Sequence, residues 1–179
     1  MASERVTQLK LLLGELKEPI PKEYIVAPSL PMGLPRGVIV ELIGPSRTEW
    51  LIQFLVNHKD FRIFWAERDQ SILPTALYQR GLNLNRVTFG TLGEDLLPLR
   101  RVLQSQLYQV VIAPNRFSEI RIFKALQLST EKANSILFLM GDKEASKAWP
   151  ISVQLSIQKD SDNQFRIEVL RQKHGMGDA

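Results

Sequence analysis

The sequence contains no cysteine and only two histidines, His58 and His174, among its 179 residues. Without cysteine there is no disulfide framework and no thiolate metal site. Two histidines so far apart in the sequence do not form the ligand cluster that a zinc site requires. We therefore predict that the protein holds no metal and is not a disulfide-stabilised fold.

Long apolar runs and a strong excess of one charge are also lacking. No apolar segment approaches the roughly 20 residues that cross a bilayer, and the first residues do not have the layout of a signal peptide. The formal net charge is +4, with 44% hydrophobic and 23% charged residues, as is typical of globular domains. We expect a cytoplasmic protein without membrane contact, in which the mild basicity alone gives only a weak indication of nucleic-acid binding.

The first 32 residues are predicted to form a helix and an extended arm, separate from the core. Apolar residues recur there at the three- and four-residue spacing of an amphipathic helix over 4–17; they are Val6, Leu9, Leu13 and Leu16. Pro19 and Pro21 end this helix, and the proline-rich arm should finish in a tight turn at 32–37. The apolar stripe is a candidate surface for a protein partner or for self-association. The alternative is that the helix packs on its own sheet.

From residue 33 to 173, apolar strands alternate with amphipathic helices. Strands are predicted at 38–43, 61–66, 86–90, 108–113 and 135–140, and helices at 48–57, 73–80, 94–106 and 118–133. This alternation predicts an α/β fold with a mostly parallel sheet and helices on both faces. Strands at 151–157 and 165–170, joined by a polar turn, predict a C-terminal antiparallel hairpin. The tail, 174–179, should fray.

Several details of the predicted helices follow from residue type. The helix at 48–57 should bury one face, formed by Trp50, Leu51, Phe54 and Leu55. Gly81 should end the second helix. Ser118 is predicted to cap the fourth helix, and Leu97, Val102 and Leu103 should face inward from the third.

Short motifs along the chain resemble the RecA superfamily core in their order and spacing. They are the turn at 33–37, the strand at 38–43 with Gly44-Pro45 after it, Ala66-Glu67, the passage at 78–85, Gly93-Glu94, and the closing strands at 152–157 and 166–173. The resemblance covers nearly the whole chain from Gly33 onward. It is closest to a small branch that contains the bacterial SOS-response proteins ImuA and SulA.

The resemblance implies a RecA-like core with a role in the bacterial response to DNA damage. An ImuA-like protein would be an adaptor in translesion synthesis, with RecA or a polymerase-like subunit such as ImuB as its partner. A SulA-like protein would inhibit cell division by binding FtsZ. The segment at 165–171 is more similar to ImuA, which favours the adaptor. The FtsZ inhibitor and a single-stranded DNA-binding RecA paralogue remain as alternatives.

The segment that would form the phosphate-binding loop departs from what a phosphate needs. Such a loop uses glycines for close backbone approach, a lysine for the phosphates and a Ser/Thr for magnesium. The residues at that place are Gly44, Pro45, Ser46, Arg47 and Thr48, followed by Glu49. The fourth core strand ends in Ala113-Pro114, where an ATPase has an acid that holds the magnesium shell. We therefore predict a non-catalytic protein that takes no nucleotide cofactor.

Two acidic residues at strand ends have a functional and a structural interpretation. Glu67 matches the glutamate that polarises water in the family, but beside Arg68 and Asp69 a local ion pair or a helix cap is favoured. Asp142 follows the fifth strand, where α/β folds often bind ligands. A charged surface turn is the favoured interpretation of Asp142.

Basic residues near two predicted loops are candidates for weak binding of single-stranded DNA. They are Arg116, Arg121, Lys124, Lys143 and Lys147, with Trp149 as a nearby aromatic residue. Cationic side chains with an aromatic ring can follow a nucleic-acid backbone. Solvated helix faces explain the same residues and are the favoured interpretation.

Overall fold

The computed structural model describes residues 23–69, 71–93, 97–142 and 144–173. The predicted helix at 4–17 with its stripe Val6, Leu9, Leu13 and Leu16 lies outside the described residues, as do Glu94, Lys143 and the tail. None of the described helices has the length and apolarity needed to cross a bilayer.

The proline-rich arm folds back on itself as a hairpin. Strands β1 (Tyr24–Ala27) and β2 (Leu30–Pro35) pair antiparallel. A tight turn that was not predicted lies at Pro28-Ser29, and the predicted turn before the core is present as a bend at Arg36-Gly37, where Gly37 has a φ of +71°. An extended arm was also predicted, but pairing satisfies the backbone hydrogen-bonding groups and buries one side of the hairpin against the core. Gly33 lies inside β2, where the carbonyl of Ile25 leaves no room for a Cβ.

Seven strands form the main sheet in the order β5-β4-β6-β7-β3-β8-β9. They are β3 (Val38–Ile43), β4 (Ile63–Glu67), β5 (Val87–Thr91), β6 (Val110–Pro114), β7 (Ile136–Met140), β8 (Val153–Lys159) and β9 (Phe165–Gln172). The first six strands in this order pair in parallel, and β9 pairs antiparallel to β8. The prediction of a mostly parallel sheet with a C-terminal antiparallel hairpin is confirmed.

Four helices connect these strands, with a short 3₁₀ turn at Leu84–Arg86. They are α1 (Arg47–Asn57), α2 (Pro74–Gln79), α3 (Leu97–Gln104) and α4 (Ile120–Ala133). The predicted cap at Ser118 is wrong: Glu119 holds that position without a side-chain cap bond. The ring of Phe117 packs edge-on against Phe123 and so fixes where the chain enters α4.

The inward face of α3 agrees with the prediction only in part. Leu103 is buried and Val102 is partly buried, as predicted, whereas Leu97 is exposed and Leu99 is buried. Residues four apart lie on one helix face, so the two buried leucines define the side that meets the sheet. The predicted face of α1 is confirmed, since Trp50, Leu51, Phe54 and Leu55 are all fully buried. Gly81 directly follows the last turn of α2 with a positive φ, as predicted.

The sheet separates two hydrophobic clusters, because alternate residues of a strand point to opposite faces. The hairpin face carries α1, α2 and the β1–β2 hairpin; its core includes Val40, Leu42, Trp50, Phe54, Ile112 and Phe138. The two-helix face carries α3 and α4; its core includes Ile39, Leu103, Val111, Phe123, Leu126 and Leu137.

Arg86 links elements of the hairpin face. Its guanidinium donates hydrogen bonds to the carbonyl oxygens of Leu55, His58 and Phe61. These carbonyls lie at the end of α1 and just before β4, and those of Leu55 and His58 also accept the backbone N–H groups of His58 and Phe61, each at 3.3 Å. Burial lowers the pKa of Arg86 from its usual value, and the nearby Asp60 carboxylate partly opposes this shift.

Candidate functional site

A crevice opens where β4 and β6 end side by side in the sheet. From β4 the chain crosses through α2 to β5 on one side, and from β6 it crosses through α4 to β7 on the other. Neighbouring strands whose connections diverge in this way form the usual ligand position of an open α/β sheet. The crevice has a volume of about 460 Å³.

The charged groups that line this crevice nearly balance. Arginines and carboxylates contribute equally, namely Arg47, Arg68 and Arg116 against Glu67, Asp69 and Asp142. Arg116 forms an ion pair with Asp69 at 3.3 Å, and both side chains are more than half exposed. A polyphosphate needs an excess of positive charge or of aligned N–H donors, and these lining residues supply no such excess of charge.

The turn that precedes α1 uses its backbone donors within the protein. The N–H of Ser46 donates to the carbonyl of Ile157 at 3.2 Å, and the N–H of Arg47 donates to the carbonyl of Gly44 at 3.4 Å. Pro45 has no N–H to offer. The Arg47 guanidinium adds a second hydrogen bond to Gly44, at 2.9 Å. The donors of Ser46 and Arg47 therefore do not converge on an anion.

Gly44 is needed for contact with β8. Its φ is +94°, and a Cβ there would collide with the carbonyl oxygen and the nitrogen of Ile157. In a phosphate-binding loop, glycine lets the backbone approach the ligand. Here the same property brings the turn against the neighbouring strand, so the loop is closed by the protein itself.

The two residues after Thr48 are also engaged within the protein. Glu49 forms an ion pair with Lys159 at 2.6 Å. Trp50 is fully buried, and its indole N–H donates to the carbonyl of Pro28 at 2.7 Å. The packing role predicted for Trp50 is confirmed, and this hydrogen bond links α1 to the hairpin turn.

Glu67 stabilises the loop that leads into α2. Its carboxylate accepts a hydrogen bond from the N–H of Ile72 at 2.9 Å, two residues before the helix begins. This contact resembles the predicted cap, although it holds the loop and not the first helical turn. Asp142 lines the crevice and is exposed. No group of His, Cys, Asp and Glu side chains within the described ranges could hold a metal.

A buried carboxylate below the crevice was missed by the sequence analysis. Glu41 is only 1% exposed, on β3, which lies between β7 and β8 in the sheet. It accepts hydrogen bonds from the N–H of Ser146 at 2.9 Å, the side-chain amide of Gln154 at 2.6 Å, and that of Asn115. The sequence feature that could have revealed this carboxylate is the single glutamate within the run Val38–Ile43, which was interpreted as continuously apolar.

Glu41 joins the crevice to the segment after β7. Asn115 lines the crevice just beyond β6, and Ser146 belongs to the loop that leads to β8. Since both hydrogen-bond to one carboxylate, Glu41 fixes the position of the crevice wall relative to that loop. The predicted strand-end residues Ala113 and Pro114 carry no side chain that could take part.

The predicted basic residues are divided between separate places. Arg116 lines the crevice, whereas Arg121 pairs with Glu119 at 2.9 Å on α4. Lys124 lies over the ring of Trp149, with its ammonium 5.1 Å from the ring centre. Lys147 is exposed. Lys173, which the sequence analysis did not select, also contacts the Trp149 ring, at 5.2 Å.

The geometry thus describes a closed turn, a charge-balanced crevice and a half-exposed tryptophan that two lysines contact. No family model matches the chain, and no curated protein matches it.

Proposed function

We propose that this protein is a non-catalytic RecA-like accessory protein of the bacterial DNA-damage response, of the ImuA type. On this proposal it acts as an adaptor through contacts with other proteins. The α/β sheet with its C-terminal hairpin is compatible with the RecA-like resemblance of the sequence. The finer assignment rests on that resemblance.

The observation that carries the non-catalytic role is the turn before α1. The donors of Ser46 and Arg47 are used within the protein, and Gly44 is pressed against Ile157. To bind a triphosphate, the turn would have to leave β8 and give up these hydrogen bonds. Each net hydrogen bond contributes about 1 kcal/mol, and nothing in the balanced charge of the crevice compensates for that loss.

Titration calorimetry of the full-length chain with ATP and Mg²⁺ tests this role. We expect no binding at micromolar nucleotide and no release of phosphate. Two variants decide how a positive result is understood: Arg47→Ala and Glu67→Gln. Micromolar binding with turnover that either substitution abolishes would contradict the proposal.

The adaptor role requires a protein partner, for which RecA and a polymerase-like subunit such as ImuB are the proposed candidates. Size-exclusion chromatography with each purified candidate should give a complex that elutes ahead of either component. The SulA-like alternative makes a different prediction, since binding of FtsZ blocks division. Filamentous cells after overexpression, together with a complex with FtsZ, would favour that alternative over the adaptor.

Binding of single-stranded DNA is a second candidate function, and Trp149 is the observation that favours it. The ring is 50% exposed and has Lys124 and Lys173 against it. Base stacking on such a ring contributes about 1–3 kcal/mol. Nearby cations would attract the backbone, so affinity should fall steeply with salt.

Fluorescence anisotropy with a labelled oligothymidylate tests this second function. Trp149→Ala should weaken binding about tenfold, the lower half of the stacking range. Phe89→Ala provides the matched control, since Phe89 is a 40% exposed aromatic residue on the edge strand β5. Equal affinities for the two variants, or binding that is independent of salt, would remove the candidate.

A further inference from the structure

A groove runs between α3 and α4 on the outside of the two-helix face. Its volume is about 450 Å³, and it is lined by the apolar residues Leu103, Ala125, Leu128 and Ala133 and by the polar residues Arg100, Gln104, Gln106, Ser129 and Lys132. Leu103 is buried at the bottom, and the two alanines are partly buried. Because these side chains are aliphatic and small, the groove has an apolar floor that can receive apolar side chains from outside.

Leu128 is the most exposed apolar residue of this groove. Its exposed fraction is 67%, although it belongs to a helix whose neighbouring residues Leu126 and Ser129 are buried. A single exposed leucine is ordinary on a protein surface. Leu128 differs because it lies on one face of α4 with Ala125 and Lys132, three residues before it and four after it. It therefore extends the apolar floor up one wall.

The rim of the groove is basic. Arg100 and Lys132 line it, and Arg101 follows on α3. Glu131 is the one acidic residue in the sequences of these two helices, and its carboxylate accepts a hydrogen bond from Gln127 at 2.7 Å. The surface around the apolar floor therefore attracts acidic groups.

Arg100 also has an unused donor within the groove. Its Nε atom is buried and has no hydrogen-bond partner. A buried donor without a partner costs roughly 1–3 kcal/mol, so movement of the Arg100 side chain toward an incoming carboxylate would relieve that cost. The position of this donor beside an apolar floor indicates a ligand that carries carboxylates next to apolar side chains.

We propose that the α3–α4 groove docks an acidic amphipathic helix of a partner protein. Its aliphatic side chains, spaced at i, i+3 or i+4 and i+7, would contact Leu103, Ala125 and Leu128. A glutamate or aspartate beside them would meet Arg100. The inference rests on the proposed adaptor function, because it gives the chemistry of a protein partner for that adaptor.

The lining residues favour a helix over a nucleic acid. Bases bind single-strand sites by stacking on aromatic rings, and the described residues that line this groove include no aromatic side chain. Trp149, the candidate for stacking, is not among them. Aliphatic floors with charged rims are instead typical of helix-binding grooves.

A designed peptide probes the groove directly. It has about 18 residues, enough for a helix in contact with a surface, with leucines at i, i+3, i+4 and i+7 and glutamates beside them. We expect saturable binding of this labelled peptide to the full-length chain by fluorescence anisotropy. A matched peptide with lysine in place of each glutamate should not bind.

Two variants test whether the peptide binds in the α3–α4 groove. Leu128→Asp should weaken binding at least about tenfold, as for a central interface residue. Leu73→Asp is the matched control with no expected change, since Leu73 is 68% exposed and lies outside the groove. Arg100→Gln should weaken binding several-fold. Circular dichroism checks that each variant keeps its fold.

Several results would overturn the proposal. They are failure of both peptides to bind, equal binding of both, or no effect of Leu128→Asp. An oligonucleotide that displaces the peptide would assign the groove to nucleic acid, and a dimer that Leu128→Asp converts to a monomer would assign it to a second copy. Titration with ATP is independent of these readouts. A chain that binds ATP yet keeps the peptide response would therefore contradict only the proposed non-catalytic role.

Discussion

The two faces of the sheet are covered by the same chain in different ways. On the hairpin face, the rings of Trp50, Phe54 and Phe138 contact one another, with centroid separations of 5.4–6.4 Å. The β1–β2 hairpin covers them and accepts the hydrogen bond of Trp50. On the two-helix face, aliphatic residues form most of the core together with the buried ring of Phe123. Glu41 is buried on this face, and Leu128 remains exposed. The hairpin face thus buries a cluster of rings below the hairpin, while the two-helix face carries the groove that we propose as a contact surface.

The largest expected effect on stability comes from a comparison of Trp50 on the hairpin face with Trp149, which contacts α4 on the two-helix face. Trp50→Ala should lower the free energy of unfolding by about 3–5 kcal/mol, because it removes a fully buried ring and leaves a cavity. Trp149→Ala should lower it by at most about 1 kcal/mol, the value of an exposed cation–π contact. Urea unfolding measures both. Similar losses for the two variants would contradict the comparison.

Substitution of Glu41, the buried carboxylate of the two-helix face, should have the next largest effect on the free energy of unfolding. Glu41→Leu should cost about 3 kcal/mol, because the donors of Asn115, Ser146 and Gln154 lose their shared acceptor. Glu41→Gln keeps an acceptor oxygen and should lose less. Urea unfolding of both variants measures the difference. A leucine variant as stable as the wild type would mean that these donors find other partners.

The closed turn before α1 provides a smaller effect. Gly44→Ala should destabilise the protein by about 2 kcal/mol, because alanine is strained at a positive φ and its Cβ would meet Ile157. Gly93→Ala is the control, since no atom lies within 4 Å of the Cβ that it would add. Thermal unfolding compares the two. If Gly44→Ala and Gly93→Ala unfold at the same temperature, the turn is looser than its contacts indicate.

The groove should show the smallest effect on stability. Leu128→Ala is expected to change the free energy of unfolding by less than about 0.5 kcal/mol, because the side chain is already exposed. Leu126→Ala, two residues earlier and fully buried, should cost about 2–5 kcal/mol. Equal losses in urea unfolding would mean that Leu128 supports the fold and is not reserved for contact.

Periodicity in the sequence was sufficient to predict the elements of the core. The apolar run at Val38–Ile43 and the spacing of Trp50, Leu51, Phe54 and Leu55 each correspond to an observed element and its buried side. These signals are local, because a strand or a helix that packs on a core needs one apolar face. Element ends differ from the prediction by one or two residues at most positions, since caps depend on neighbours such as Phe117.

Pairing between distant segments was less accessible to sequence reasoning. The β1–β2 hairpin was missed because its prolines indicated an extended arm, and its stability depends on contact with α1. The Glu41 cluster was missed for a similar reason. Its partners Asn115, Ser146 and Gln154 lie far along the chain and meet Glu41 only when the strands are assembled.

The candidate site was predicted only in part. The sequence indicated that the residues at Gly44–Thr48 do not suit a phosphate, because residue types alone reveal a missing lysine and a missing glycine. It could not indicate that Ser46 and Gly44 contact Ile157, which comes from β8. It also placed Arg116 and Lys124 together as candidates, whereas one lines the crevice and the other contacts Trp149.

By itself, the sequence determined the α/β class and the parallel sheet with its terminal hairpin. It also shows that Gly44–Thr48 lacks the lysine and the second glycine of a phosphate-binding loop. Each follows from residue type and short-range spacing, which the chain carries before it folds. Only the tertiary structure decided that the loop closes on β8, that Glu41 is buried among three donors, and that Leu128 and Arg100 share a groove. These features join residues that are distant in the sequence, and sheet order and helix packing bring them together.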